Sequence, residues 1–277
     1  MTHPFVKAYT AVCKELLAPL GFKCKGKYFY RVVDDVYQDL VLKRYSSGNW
    51  YSVYYGVFPF CVGFEVDATA VDGSVFALEH ITKLPSYGNK TEEAYRDCAV
   101  KLGELIRTYI VPVFERAVNT AAAFAEWNRL LSPNEHCGSA YISMAIAIGD
   151  YDSAILGLEN SIEIALDCYE RRMREVHTLR DVNLNLKHYK PEPQRPGKTL
   201  EEIDRAFRTY KMIFRHILDR DMEWILANFA DDEPVVAAAA MLRRVRARDM
   251  DWINNFIEEN ERKSRIALGL EKETQHN

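Results

Sequence analysis

The side chains in this 277-residue chain that could do chemistry are mostly scattered cysteines, histidines and arginines. None of the six cysteines stands in a C-x-x-C spacing, so zinc-ribbon and dithiol redox motifs are absent from the sequence. His136 and Cys137 are adjacent and could offer two soft metal ligands, but a metal site needs further ligands from elsewhere in the fold. We therefore predict neither a metal nor another cofactor.

The common catalytic fingerprints are also missing. The sequence contains no G-x-G-x-x-G, no P-loop, no G-x-S-x-G and no H-E-x-x-H motif. A nucleophilic cysteine would need a histidine brought close by the fold, and no spacing in the sequence indicates one. An enzyme is accordingly not our leading interpretation.

Segregated charge is the strongest functional indication. Residues 119–170 hold one basic and eight acidic side chains, whereas residues 171–220 hold 13 basic and seven acidic ones. The densest basic part contains Arg171, Arg172, Arg174 and Arg180. Either the two segments neutralise each other within the fold, or these arginines form a docking surface for an acidic protein or a phosphate-rich ligand.

An aromatic segment, residues 50–58, is a second candidate binding region. In a strand, Trp50 and Tyr54 share one face with Ser52, Gly56 and Phe58, and the intervening residues face the opposite way. Both faces are rich in apolar groups, so one should pack on helices. The other is either covered too or a binding surface on which tyrosine hydroxyls provide polar contacts.

The N-terminal half predicts a helix, then a sheet, then a helix. Apolar spacing predicts a helix over residues 4–20, which Gly21 would end. Three strands are predicted at 28–33, 36–45 and 50–58, and two more within 60–66 and 74–84. Short connections between successive strands predict an antiparallel meander. A long helix should then begin at a Thr91 cap and be interrupted by Pro112.

Parts of this half resemble an uncharacterised bacterial family known as a domain of unknown function. The shared pattern lies within residues 5–115 and consists of residues 20–26 (LGFKCKG), 29–31 (FYR), Gln38 and 55–57 (YGV). The resemblance implies an α+β unit. It implies no activity.

The C-terminal half predicts helices only. A short helix at 121–131 should be followed by a helical hairpin, 134–148 and 150–176, that turns at Gly149. Residues 139–166 resemble a single tetratricopeptide-like helix pair, carried by Gly149, Asp150, Tyr151 and Ala154. Because a solenoid needs at least three stacked repeats, the resemblance implies one isolated pair. The proline-rich residues 190–197 predict a loop.

A short internal repeat follows. Residues 220–225 (RDMEWI) recur 28 residues later as 248–253 (RDMDWI). This pattern predicts two parallel helices that stack alike, with Trp224 and Trp252 in the core.

Composition and charge bound the class of protein. The chain is 48% hydrophobic and carries a net charge of -4, which argues against whole-chain disorder and against a generic polyanion binder. Charged residues interrupt the apolar N-terminus, so no signal peptide is predicted, and no apolar stretch is long enough to span a membrane. We expect a cytoplasmic protein of class α+β, with an antiparallel-sheet unit at 1–118 and an all-helical unit at 119–277.

These observations lead to one principal hypothesis and two alternatives. The leading hypothesis is a non-enzymatic protein-binding protein of the adaptor or immunity type, with a homo-oligomer left open. The first alternative is a small-ligand-binding protein or hydrolase-type enzyme with its site between sheet and helices. Nucleic acid is not expected as a partner, because it would require one continuous basic face made by Arg171, Arg172, Arg174, Arg180, Lys187 and Lys190.

Overall fold

The computed structural model describes residues 3–44, 51–63, 76–77, 91–130, 138–176, 179–187, 189 and 199–271. An antiparallel sheet lies near the N-terminus and helices make up the described C-terminal region, so the predicted α+β class is confirmed. Among the described residues, no helix combines the length and the apolar character needed to cross a membrane.

The described sheet has five strands, hydrogen-bonded in chain order. They are β1 (Lys23–Lys25), β2 (Tyr28–Val33), β3 (Val36–Arg44), β4 (Tyr51–Pro59) and β5 (Phe76–Ala77). Every pairing is antiparallel, as the short connections predicted. Asp34 takes a positive φ of 49° in the tight turn that joins β2 to β3.

Eleven α-helices are described. They are α1 (Pro4–Leu17), α2 (Glu92–Leu105), α3 (Val111–Arg116), α4 (Thr120–Leu130), α5 (Ser139–Ala147), α6 (Tyr151–Arg174), α7 (Leu179–Leu186), α8 (Leu200–Leu218), α9 (Met222–Asn228), α10 (Pro234–Arg246) and α11 (Met250–Ala267).

The strand register separates the sheet into two different faces. Gln38, Leu40 and Leu42 of β3 share one face with Val53, Tyr55 and Val57 of β4; we call it the helix face. The opposite face, which we call the tyrosine face, carries Tyr28, Tyr30, Tyr37, Asp39, Tyr54 and Phe58. The alternation predicted for residues 50–58 is therefore confirmed over the described residues of β4.

The helix face forms the core with α1 and α3. The Phe5 ring lies 5.1 Å from Tyr51, Tyr9 lies 6.2 Å from Phe29, and Tyr55 lies 6.1 Å from Phe114, as measured between ring centroids. Phe5, Tyr9 and Phe114 are fully buried. Burial of apolar area of this kind is the main stabilising contribution to a fold.

Two polar side chains on the helix face bind backbone carbonyls at the end of α3. Gln38 donates from Nε2 to the carbonyls of Phe114 and Ala117, at 3.0 and 2.7 Å. Arg31 donates to Gln38 Oε1 at 2.8 Å, to the Phe114 carbonyl at 2.9 Å and to the Leu20 carbonyl. The last carbonyls of a helix have no partner within the helix, so these side chains satisfy them. Both residues belong to the pattern behind the family resemblance, and here they have a structural role.

Local sequence signals account for several helix ends. Gly21 has φ 83° after a short 3-10 turn, and Thr91 caps α2 by accepting from the Ala94 N–H. Before Pro112, residues Ile106–Ile110 form a π-helical turn between α2 and α3. Proline lacks the N–H of a continuing helix, so the predicted interruption is confirmed.

The two additional strands were predicted less well. Phe60–Val62 is a 3-10 turn, so the prediction of a strand beginning at residue 60 is wrong there. Gly63 ends that turn with φ 68°, a conformation that favours glycine and ends regular pairing. Within 74–84, only Phe76–Ala77 is described, and it is a strand; the rest of both predicted segments lies outside the described residues.

The chain divides by internal contacts into two units. Unit 1 comprises residues 1–133, 143–148 and 254–277, and unit 2 comprises 134–142 and 149–253. Within unit 1, α11 is tied to the turn after β4: Asn260 donates to the Cys61 carbonyl at 2.9 Å, and buried Ser264 donates to the Phe60 carbonyl at 2.8 Å. The predicted boundary near residue 118 stays a prediction.

The internal repeat adopts the same local structure twice. Arg220 and Arg248 both have positive φ, of 52° and 54°. The aspartate after each arginine caps the next helix by accepting from the tryptophan N–H, at 3.1 and 3.2 Å. Each copy begins a helix, α9 of 7 residues and α11 of 18 residues, and the parallel stacking of the two helices stays a prediction. The placement of Trp224 and Trp252 in the core is wrong. Both are only half-buried, because the fully buried residue of each copy is the next one, Ile225 or Ile253.

Candidate functional site

The four predicted arginines lie at the junction of α6 and α7. Arg171, Arg172 and Arg174 are in the last turn of α6, where basic side chains interact favourably with the negative end of the helix dipole. Arg180 is in the first turn of α7. All four are exposed. Arg174 pairs with Glu170 at 2.7 Å, one turn earlier in α6.

Three of these arginines are left without a carboxylate. Within the described residues, Arg171, Arg172 and Arg180 form no ion pair with an acidic side chain; we call these three residues the basic end. Arg171 has one weak contact, from Nη2 to Cys168 Sγ at 3.8 Å. The basic end is therefore a concentration of positive charge turned toward solvent.

Other arginines of unit 2 neutralise the acidic side of α6. Arg220 contacts three carboxylates on successive turns, those of Glu163 at 3.4 Å, Asp167 at 2.5 Å and Glu170 at 3.2 Å. Two further pairs join α6 to the end of α10 and the residues after it: Arg246 with Glu159, and Arg248 with Asp152. Part of the segregated charge is thus used within the fold, which was one of the two interpretations of the sequence.

Most of the other residues singled out in the sequence lie outside the described part of the chain. Lys187 is exposed at the end of α7, but Lys190 lies outside the described residues, so the six-residue basic face for nucleic acid is untested. Trp50, His136 and Cys137 also lie outside them.

Tyr54 lies on the tyrosine face, half-buried, with Lys43 Nζ 4.8 Å from its ring centroid. An ammonium over an aromatic ring is a favourable cation–π contact. Tyr54 belongs to unit 1 and the four arginines belong to unit 2, so they are two separate candidate sites.

A buried carboxyl group on the tyrosine face was missed by the sequence analysis. Asp39 is 3% exposed and accepts a hydrogen bond from the Tyr28 hydroxyl at 3.2 Å. The Tyr28 hydroxyl is also hydrogen-bonded to the hydroxyl of Tyr37, which is 3% exposed. The Gly56 backbone provides a further hydrogen bond to Asp39. A chain of hydrogen bonds therefore runs from Tyr37 through Tyr28 to Asp39.

The environment of Asp39 favours its neutral form. Burial raises the pKa of Asp39 to about 7, against smaller lowering contributions from the Tyr28 hydroxyl, the Gly56 backbone and Lys43. Burial also raises the pKa of both Tyr28 and Tyr37, so these hydroxyls stay protonated. The cluster can therefore take up or release one proton near neutral pH at Asp39.

Gly56 gives Asp39 and Phe58 the space they occupy. A Cβ at this position would overlap the Phe58 ring and lie 2.9 Å from Asp39 Oδ1. The signal that could have identified this site is an aspartate at an inward position of a strand, directly paired with a glycine on the next strand. In the sequence alone, the pattern around Gln38 and Gly56 indicates an α+β fold and no functional site.

The described residues offer no metal site: they contain no group of three or more histidine, cysteine, aspartate or glutamate side chains that could hold an ion.

Comparison of the chain with protein-family models, curated proteins and solved structures returned no match. The two resemblances noted in the sequence therefore stay predictions.

Proposed function

We propose that this is a non-enzymatic protein-binding protein that docks an acidic partner on its basic end. The observation that carries the proposal is that three exposed arginines without a described carboxylate partner are grouped where α6 ends and α7 begins. Arg220, Arg246 and Arg248 reach carboxylates of α6, whereas Arg171, Arg172 and Arg180 are exposed and have no described carboxylate partner.

Electrostatic complementarity explains why such a surface suits a protein partner. Guanidinium groups form bidentate hydrogen bonds to carboxylates, and a basic surface increases the association rate with an acidic one. In the free protein these groups keep their hydration, since each side chain is exposed. On docking, carboxylates of the partner would bind the basic end in the way that α6 carboxylates bind the paired arginines.

The test is a charge reversal with a matched control. The test variant is R171E/R172E/R180E. The control is R205E/K211E/R243E, three exposed basic residues of the same unit that form no ion pair within the described chain. Each variant changes the net charge by the same amount, and circular dichroism would verify that both are folded.

Tagged proteins would be captured from lysate of the native cells and the retained proteins quantified by mass spectrometry. We expect an acidic protein to be retained in stoichiometric amount by the wild type and the control. The test variant should lose it, as should the wild type when salt is raised from about 0.15 to 0.5 M, because salt screens exposed charges. A retained set that is identical for the wild type and the test variant would overturn the proposal.

A small-ligand site on the tyrosine face is the second candidate. It is favoured by a buried carboxyl with a raised pKa, a feature that is common in functional sites, next to the half-buried side chains of Tyr54 and Lys43. Native mass spectrometry of the purified wild type would show a small bound mass that D39N loses and the arginine variant keeps.

A further inference from the structure

The two copies of the internal repeat are preceded by different basic residues at corresponding positions. His216 in α8 precedes Asp221 by five residues, and Arg244 in α10 precedes Asp249 by the same number. In the second copy Arg244 Nη1 contacts Asp249 Oδ2 at 2.5 Å. In the first copy His216 Nδ1 contacts Asp221 Oδ2 at 2.8 Å. A histidine thus takes the place of the arginine that binds the helix-capping aspartate.

The backbone makes the same hydrogen bonds in the two turns. The capping aspartate donates its N–H to the carbonyl of the residue five before it, at 3.0 Å in the first copy and 3.1 Å in the second. The same aspartate carbonyl accepts from Ile225 N–H or Ile253 N–H, at 2.9 Å in both. The backbone hydrogen bonds at the capping aspartate are therefore the same in the two copies, whereas the side chain that contacts its carboxylate is different.

His216 is placed so that its protonated form gains two contacts. Its ring lies parallel to the Trp224 indole, with 4.0 Å between centroids and 5° between planes, and it bonds the Asp221 carboxylate. An imidazolium is attracted both to a carboxylate and to the face of an indole. The Trp224 N–H and the His216 ring hold the pKa of the Asp221 carboxyl below its usual value, so Asp221 stays ionised at neutral pH.

Asp221 is the carboxylate that is hydrogen-bonded to His216. Helix α8 packs against α6, α7 and α9. The charged neighbours of His216 along α8, the turn and α9 are Arg215, Asp219, Arg220 and Glu223, and Tyr189 stacks on the same Trp224 indole at 5.8 Å between ring centroids. Arg220 is occupied by the three α6 carboxylates, and Arg215 lies 3.7 Å from Asp219.

We propose that the turn between α8 and α9 is a pH-responsive clasp, in which protonation of His216 fastens the seven-residue helix α9 and deprotonation loosens it. Histidine is the side chain that ordinarily changes charge between pH 5 and 8, whereas arginine stays charged throughout. The second copy, with Arg244, is the permanent form of the same clasp. This inference concerns unit 2 alone and does not depend on the docking role of the basic end.

The experiment measures amide hydrogen exchange at Trp224 and Ile225, corrected for the intrinsic effect of pH, from pH 5 to 8 in the full-length protein. In the wild type, protection of these amides should fall about two- to five-fold as pH rises, the size expected for a half-exposed ion pair. Trp252 and Ile253 in the second copy provide the internal control and should keep their protection.

Two variants exchange the properties of the copies. H216R should hold the protection of Trp224 and Ile225 constant across the range. R244H should give the amides of Trp252 and Ile253 the pH dependence that the first copy has in the wild type. If H216R does not fold, the R244H result alone decides the test. Protection of α9 that is flat in the wild type, or that falls equally in H216R, would overturn the proposal.

Discussion

Among its described residues, unit 1 buries two carboxyl groups whose pKa values are shifted in opposite directions. Asp39 in the sheet is 3% exposed and Glu126 in α4 is 4% exposed, but Asp39 lies deeper among other protein groups than Glu126 does. Asp39 has hydroxyl and backbone hydrogen-bond partners, and its pKa is raised to about 7. Glu126 is bonded by the guanidinium groups of Arg116 and Arg129, which hold its pKa down to about 2.

The difference shows that the charge of a buried acid depends on its hydrogen-bond partners as well as on how deeply it is buried. Desolvation disfavours the ionised form at both positions. At Glu126 two charge-assisted hydrogen bonds exceed that cost, whereas neutral donors at Asp39 do not. The same unit therefore contains one carboxyl that is ionised over nearly the whole pH range and another that changes charge near neutrality.

The largest effect should come from replacing Asp39 with asparagine. Because the folded-state pKa lies above the ordinary 3.8, folding binds a proton between pH 4 and 7, and stability falls as pH rises through that range. The difference of roughly three pKa units corresponds to about 4 kcal/mol. In D39N this part of the pH dependence should disappear, as measured by urea unfolding at pH 4, 5.5, 7 and 8.

Exposed Asp97 in α2 provides the control for that experiment. D97N should keep the pH dependence of the wild type, because its carboxyl is solvated in both states. If D39N retained the same fall in stability between pH 4 and 7, the assignment of that proton to Asp39 would be wrong.

A second, smaller effect should follow from G56A. The added methyl group would overlap the Phe58 ring and approach Asp39 Oδ1, so we expect a loss of about 3 kcal/mol in the free energy of unfolding. Gly138 is the matched control: a Cβ there meets no atom within 4 Å, and G138A should change stability by less than about 1 kcal/mol. Equal effects of the two substitutions would contradict the close packing around Asp39.

Gly56 also shows where prediction from sequence succeeds and where it stops. The alternation of β4, the antiparallel meander and the Thr91 cap were predictable, because each depends on neighbours within one strand, turn or helix. The fit of Phe58 and Asp39 around Gly56 depends on the register between β3 and β4, which the single-strand pattern leaves open.

The arginines illustrate the same limit for the candidate site. Their concentration in residues 171–220 was visible in the sequence, and so was the alternative of internal neutralisation. Which ones pair depends on the tertiary fold, because Arg220 contacts carboxylates that lie 50 to 57 positions earlier in the chain. Arg171 and Arg172 follow Glu170 directly in α6, where adjacent side chains do not face each other.

The smallest effect should come from the other member of the comparison, E126Q. A glutamine keeps the shape of Glu126 but removes the charge that binds two guanidiniums, and both arginines are about half exposed and can be solvated. We therefore expect a loss of about 2 kcal/mol at pH 7. Because the folded-state pKa is lowered, the loss should be constant above about pH 4.5 and vanish as pH falls toward 2.

Urea unfolding at pH 7 and pH 3 would measure the loss of stability in E126Q. E104Q, which replaces an exposed glutamate on α2, is the control. E104Q should match the wild type at both pH values. At pH 8, D39N removes an unfavourable buried charge and should raise the free energy of unfolding. E126Q removes a favourable charge at the same pH and should lower it. A shift in the same direction would mean that burial, and not the partner, governs both carboxyl groups.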